Sequence, residues 1–219
     1  MEITWLGHSC FRLRGKDVTL VTDPVSPEIG YHTLTRVSAD IVTISHDHPG
    51  HSYKQGISGN PYVISRPGEY EIRDVLITGV PSYHDGQRGK IRGRNTIYLI
   101  HMDEIVICHL GDLGHPLTED QQEEMTGADI LLIPVGGGST ITAAQAAEVI
   151  SQVEPRLIIP MHYATAATQG KGLILEPVEK FCEEMGITDY QAQPKVTVTR
   201  SSLPAEPQVI VLSYRGQGG

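Results

Sequence analysis

Three of the ten histidines fall within six positions, in Ser45-His46-Asp47-His48-Pro49-Gly50-His51-Ser52. Neutral imidazole is the commonest side-chain metal ligand, and histidine is not among the residues that ordinary turns select. The cluster follows the apolar run Ile41-Val42-Thr43-Ile44, so a strand tip gives it a rigid base. On a tight loop, His46 and His48 can turn toward one ion, and His51 can face a neighbouring one. Three further polar blocks also end apolar runs: Val80-Pro81-Ser82-Tyr83-His84-Asp85, His109-Leu110-Gly111-Asp112 and Ile159-Pro160-Met161-His162-Tyr163. Loops at one edge of a sheet sandwich are where a scaffold carries its chemistry. His84, Asp112 and His162 are therefore candidate partners of the histidine cluster.

The spacing of His46, His48 and His51 resembles the metal-binding loop of the metallo-β-lactamase-fold hydrolases, His-x-His-x-Asp-His. Gly50 stands where that pattern has its aspartate. The resemblance runs through five ordered blocks, from Leu6-Gly7-His8-Ser9-Cys10-Phe11 to Tyr163. It comes closest to the small bacterial Zn-dependent hydrolases that include ascorbate-6-phosphate lactonase-like proteins. It implies that His46, His48 and His84 hold a first metal, that His51 and His162 hold a second, and that Asp112 bridges them. A bridging carboxylate lowers the repulsion between two dications. Such a nitrogen and carboxylate set suits zinc, and also serves Fe or Mn.

Gly50 leaves the second ion three protein ligands, enough for a catalytic site with an open position, and should weaken its binding. Asp47 is the nearest substitute, but alternation along the loop turns it away, which makes it a brace. Asp23, in Thr22-Asp23-Pro24, matches the family's early aspartate, which braces the histidine loop. His8 and His109 are expected close behind the ligands. The implied activity is hydrolysis by a metal-bound hydroxide that attacks a carbonyl or phosphoryl centre. Asp112 would orient the hydroxide and His162 would assist proton transfer. A small ester, lactone or phosphoester is the expected substrate class. Gly50 keeps open an alternative, a metal-binding scaffold with little hydrolytic activity.

One segment bears on substrate charge. In Gln87-Arg88-Gly89-Lys90-Ile91-Arg92-Gly93-Arg94, the four cations alternate with other residues. On an extended strand they would share a face, just past His84, and would favour an anionic substrate.

Composition sets the frame. The 219 residues carry 17 basic and 26 acidic side chains, a formal charge of −9, which argues against a binder of nucleic-acid backbone. No apolar run reaches the roughly 18–20 residues of a membrane span. The start, Met-Glu-Ile-Thr-Trp, lacks the pattern of a signal peptide, so a cytoplasmic location is expected. Cys10, Cys108 and Cys182 are odd in number and far apart, so no disulfide framework is expected.

The elements that must position the site read as short strands first and helices later. Strands are expected at 3–6, 10–13, 18–21, 40–44, 75–80, 96–100 and 105–110, with a hairpin turn near Met102-Asp103. Helices are expected from Thr118, from Thr142 and over Leu175–Met185. The fully apolar runs Ile130–Pro134 and Leu157–Pro160 suit strands buried on both faces. Periodicity alone gives an α/β chain with mixed sheets. The family resemblance implies a four-layer αββα sandwich, with two mixed β-sheets between outer helices, as one metallo-hydrolase domain over residues 1–219.

Overall fold

The computed structural model describes residues 1–214; the tail Arg215-Gly216-Gln217-Gly218-Gly219, expected to fray, lies outside the described residues. Among the described residues, thirteen strands make two sheets. The first contains β1 (Glu2–Gly7), β2 (Cys10–Arg14), β3 (Thr19–Thr22), β4 (Ile41–Thr43), β5 (Tyr62–Ile64) and β12 (Val196–Thr197). The second contains β6 (Gly68–Ile72), β7 (Val75–Tyr83), β8 (Arg94–Met102), β9 (Ile105–His109), β10 (Ile130–Pro134), β11 (Leu157–Met161) and β13 (Gln208–Val209). Their orders are β12-β1-β2-β3-β4-β5 and β13-β11-β10-β9-β8-β7-β6. Both are mixed. β3, β4 and β5 pair in parallel, as do β9, β10, β11 and β13, and the other pairs are antiparallel.

Side-chain alternation explains how the sheets stack. Ile3, Trp5, Phe11, Leu13, Leu20 and Ile41 point inward and share one core with β7 to β11. Leu6, Cys10, Val21 and Val42 point the other way, into a smaller cluster with Val25, Ile29, Tyr31 and Leu34. β10 and β11 are buried at every residue. The inner core covers one face of each. On the other lie α1 (Glu119–Met125), α2 (Ala143–Val153) and α3 (Val178–Glu184). Thr118 and Thr142 each close a capping box with the glutamine three residues on, which fixes the start of α1 and of α2. The outer layer over the six-stranded sheet is made of loops with 3₁₀ turns at Pro27–Ile29 and Lys54–Gly56 rather than long helices.

Two expectations shift. The last helix begins at Val178, not Leu175, because Pro177 takes the cap position and residues 172–177 lie against the 136–138 loop instead. β5, β6, β12 and β13 are additional strands, short or at sheet edges. All three cysteines are free and buried. The β8–β9 hairpin turns on Asp103 and Glu104, both at positive φ, which is the two-residue turn whose twist matches antiparallel strands. No described helix is long and apolar enough to cross a membrane.

Candidate metal centre

The C-terminal ends of β1, β4, β7, β9 and β11 meet at one edge of the sandwich. Each delivers one polar group or a short loop of them: His8, residues 45–52, His84, Asp112 and His162. The six predicted ligand residues come together there, although they span over a hundred positions of chain. Asp112 Oδ2 is the focus. It lies 3.1 Å from His84 Nε2, 3.2 Å from His51 Nε2, 3.2 Å from His162 Nε2 and 3.9 Å from His46 Nε2. His48 sits at the outer side of the group, within reach of the ligand atoms of His46 and His51. Gly50 donates its N–H to His48 Nδ1 at 3.2 Å.

Several atoms in this cluster are buried without a hydrogen-bond partner: Nε2 of His46 and of His51, Nδ1 of His8, His84 and His162, and Oδ1 of Asp112. Native proteins leave few buried polar groups unpaired, and buried charged groups pair or coordinate metals. The concentration of unpaired nitrogen and carboxylate atoms in one place fits a cation as the missing partner.

A second layer fixes these rings. Asp23, fully buried, accepts from Ser45 N at 2.7 Å, from Ser45 Oγ at 2.6 Å and from His51 Nδ1 at 2.8 Å. With its Nδ1–H given to Asp23, neutral His51 presents an Nε2 lone pair to the cluster. The Ser45 hydroxyl also reaches His46 Nδ1 at 3.0 Å. Asp23 therefore braces the histidine loop as expected. Asp47 is exposed and takes a hydrogen bond from Ser52 Oγ, but it also lines the cleft, so alternation along the loop does not turn it away as expected. His109 stands apart from the cluster. It donates from Nε2 to Ser9 O at 2.8 Å and ties β9 to the start of β2.

The cluster's charges favour protonated His51, a proton that a cation bound at Nε2 would displace. Burial raises the pKa of Asp112, but His162 and His51 outweigh it and hold the carboxyl well below its ordinary value. Burial lowers the pKa of His51, yet Asp112 and Asp23 prevail and push it up to about 10. His46 goes the other way, to about 3, because burial and the neighbouring His51 both disfavour its cation.

Sequence reasoning missed two contributors. Asn95, at the start of β8, accepts from Asp112 N through Oδ1 and donates through Nδ2 to Ser82 Oγ and Leu110 O. It sets the loop that presents Asp112. Its only signal was an uncharged polar residue ending a basic stretch. The second contributor is the 172–175 segment, which forms an apolar wall of the cleft over the cluster. Gly138 permits this approach, since a Cβ there would lie 2.1 Å from the carbonyl oxygen of Ile174. The cleft measures about 620 Å³.

The basic segment is not the extended strand expected. Residues 85–92 wind around Asp85, whose carboxylate accepts from the amides of Gln87, Gly89, Ile91 and Arg92. Four amides bonding one carboxylate abolish the alternation on which a shared face depends. Only Arg92 of the four cations lines the cleft.

Comparison with known proteins follows the same lines. The model of the β-lactamase superfamily domain matches residues 2–162. A UPF0173 metal-dependent hydrolase of Methanoculleus marisnigri is 30% identical over 192 residues, covering 75% of this chain and 82% of its own length. A UPF0173 protein of Pyrococcus furiosus is 31% identical over 185 residues, covering 75% of this chain and 84% of its own length. A crystal structure from Thermotoga maritima superposes with a TM-score of 0.80 at 37% identity, covering 98% of this chain and 99% of that one. Its description proposes a Zn-dependent hydrolase of the metallo-β-lactamase superfamily.

Proposed function

This chain belongs to the β-lactamase superfamily domain family, and we propose that it is a hydrolase with a two-metal centre, acting on a small anionic ester, lactone or phosphoester. The observation that carries this reading is the convergence of four histidine Nε2 atoms on Asp112 Oδ2, among buried ring nitrogens that have no other partner. His46, His48 and His84 hold the first metal, His51 and His162 the second, and Asp112 lies between them. Zinc suits this donor set, as do Mn and Fe. When bound, the metal pair supplies Lewis acidity and brings the pKa of a water from near 16 toward about 7.

The chain's own groups supply the rest. Asp112 is held by Asn95 at its backbone and is kept ionised by its histidine neighbours, so its carboxylate is positioned to orient the attacking oxygen. His162 lies beside it at the floor of the cleft and assists proton transfer to the leaving group. Arg92 at the cleft wall gives an anionic substrate a counter-charge, and the 172–175 wall takes its apolar part.

The test uses metal-stripped protein reconstituted with Zn, Mn or Fe and assayed on lactone and phosphoester panels. The reading expects metal-dependent turnover in at least one panel and its loss in a folded Asp112→Asn variant. Equal rates in Asp112→Asn, or turnover indifferent to metal, would overturn it.

A further inference from the structure

Gly50 removes the carboxylate that the resembled loop pattern would offer to the second ion, and the structure shows what fills the space. A Cβ built on Gly50 would lie 3.0 Å from both Cδ2 and Nε2 of His8. The imidazole of His8 occupies the place toward which a residue 50 side chain would project. The ring is only 2% exposed and its Nδ1 has no hydrogen-bond partner. It lies 3.9 Å from the ring of His162 and 5.0 Å from that of His51, centroid to centroid, tilted against both. Ligand atoms of His8, His51 and His162 all fall within 4.8 Å of one another. That brings three imidazoles together as a candidate ligand set for one cation.

The backbone around His8 is built to hold it there. His8 sits at φ 54, in the left-handed region. Its carbonyl accepts from Trp5 Nε1 at 2.9 Å and from His162 N at 3.1 Å. The ring is thus carried on a pinned turn that is tied directly to the second ion's other ligand.

We infer that His8 is a protein ligand of the second metal, taking the role of the carboxylate that Gly50 cannot supply. This rests on the reading of the cluster as a two-metal centre. The second ion then has His8, His51 and His162 with Asp112 shared. Three neutral imidazoles leave that ion with one more unit of positive charge than two imidazoles and a carboxylate would. The inference also predicts what Gly50→Asp does. Introduced beside His8, an aspartate has no room and competes with the imidazole instead of adding a ligand.

The experiment titrates metal-free protein with Co²⁺ and follows its visible ligand-field absorption, which reports the ligand set without any substrate. The parent should bind in two steps. His8→Ala should weaken the second step at least tenfold and leave the first unchanged, and added imidazole should restore it. His8→Asn, which suits the positive φ, serves as the second variant and should behave alike without rescue by imidazole. Gly50→Asp should improve the second step only when combined with His8→Ala. Two unaltered steps in folded His8→Ala and His8→Asn would overturn the assignment of His8 while leaving the two-metal reading intact. A parent that shows no ligand-field spectrum would overturn both.

Discussion

Asp23→Asn separates the brace from the ligands it orients. The carboxylate takes three hydrogen bonds between 2.6 and 2.8 Å, with no exposure to water. An asparagine keeps one oxygen for Ser45 N and turns an NH₂ toward Ser45 Oγ and His51 Nδ1. The serine hydroxyl can reverse its role. His51 cannot do so harmlessly: to accept at Nδ1 it must carry its proton on Nε2, the atom aimed at Asp112 and at the proposed metal site. Loss of such an orienting partner weakens metal affinity by roughly 10–100-fold, or about 1.4–2.7 kcal/mol. Hydrogen bonds to charged groups are worth about 1.5–3 kcal/mol each. With one bond retained and one reversible, the fold should lose about 1.5–3 kcal/mol. Competition with a chromophoric chelator measures the first quantity and urea denaturation the second. Asp129→Asn is the control. It breaks the ion pair of Asp129 with Arg200, at the opposite end of β10 from the site. If that control lost metal affinity as much as Asp23→Asn, or if Asp23→Asn kept parental affinity, the tautomer argument would be refuted.

Arg92→Ala should raise KM for anionic substrates with little change in kcat and spare neutral ones, whereas Arg88→Ala and Lys90→Ala, outside the cleft, should do neither; steady-state kinetics on matched anionic and neutral esters decide it. Asn95→Ala leaves Asp112 N, Ser82 Oγ and Leu110 O unpaired in the interior, so denaturant unfolding should show a loss of about 2–4 kcal/mol. Asp85 has its carboxyl at about 2, held there chiefly by the Arg92 amide and then by those of Gln87, Ile91 and Gly89. A lowered folded-state pKa means that its support of the loop is complete above about pH 4 and fades as pH falls toward 2. The amide shifts of those four residues should therefore titrate below pH 3 by NMR, and midpoints near 4 would contradict the carboxylate-centred loop.

Much of the site was legible because each ligand-type residue ends an apolar run, and strands of one sandwich end at common edges. His46, His48, His51, His84, Asp112 and His162 could be gathered on that logic, and Asp23 by its place in the resembled pattern. His8 and Asn95 were harder. Their roles depend on distances between segments far apart in sequence, such as the contact of residue 8 with Gly50 and of residue 95 with Asp112. The basic segment misled because alternation implies a shared face only on extended backbone, and Asp85 gathers that backbone into a turn. The start of α3 was placed early, at Leu175, because an apolar residue there suits a helix as well as a cleft wall, while the backbone on either side of it, at Ile174 and Glu176, lies against Gly138 and Gly136.

The central claim is that one cluster holds two metals on either side of Asp112. Anomalous diffraction at the zinc edge, from crystals of zinc-reconstituted protein, tests it most directly. The account predicts two peaks about 3.5–4 Å apart, one among His46, His48 and His84 and one beside His51 and His162, with Asp112 between them. A single peak at full zinc saturation, or peaks away from Asp112, would contradict it.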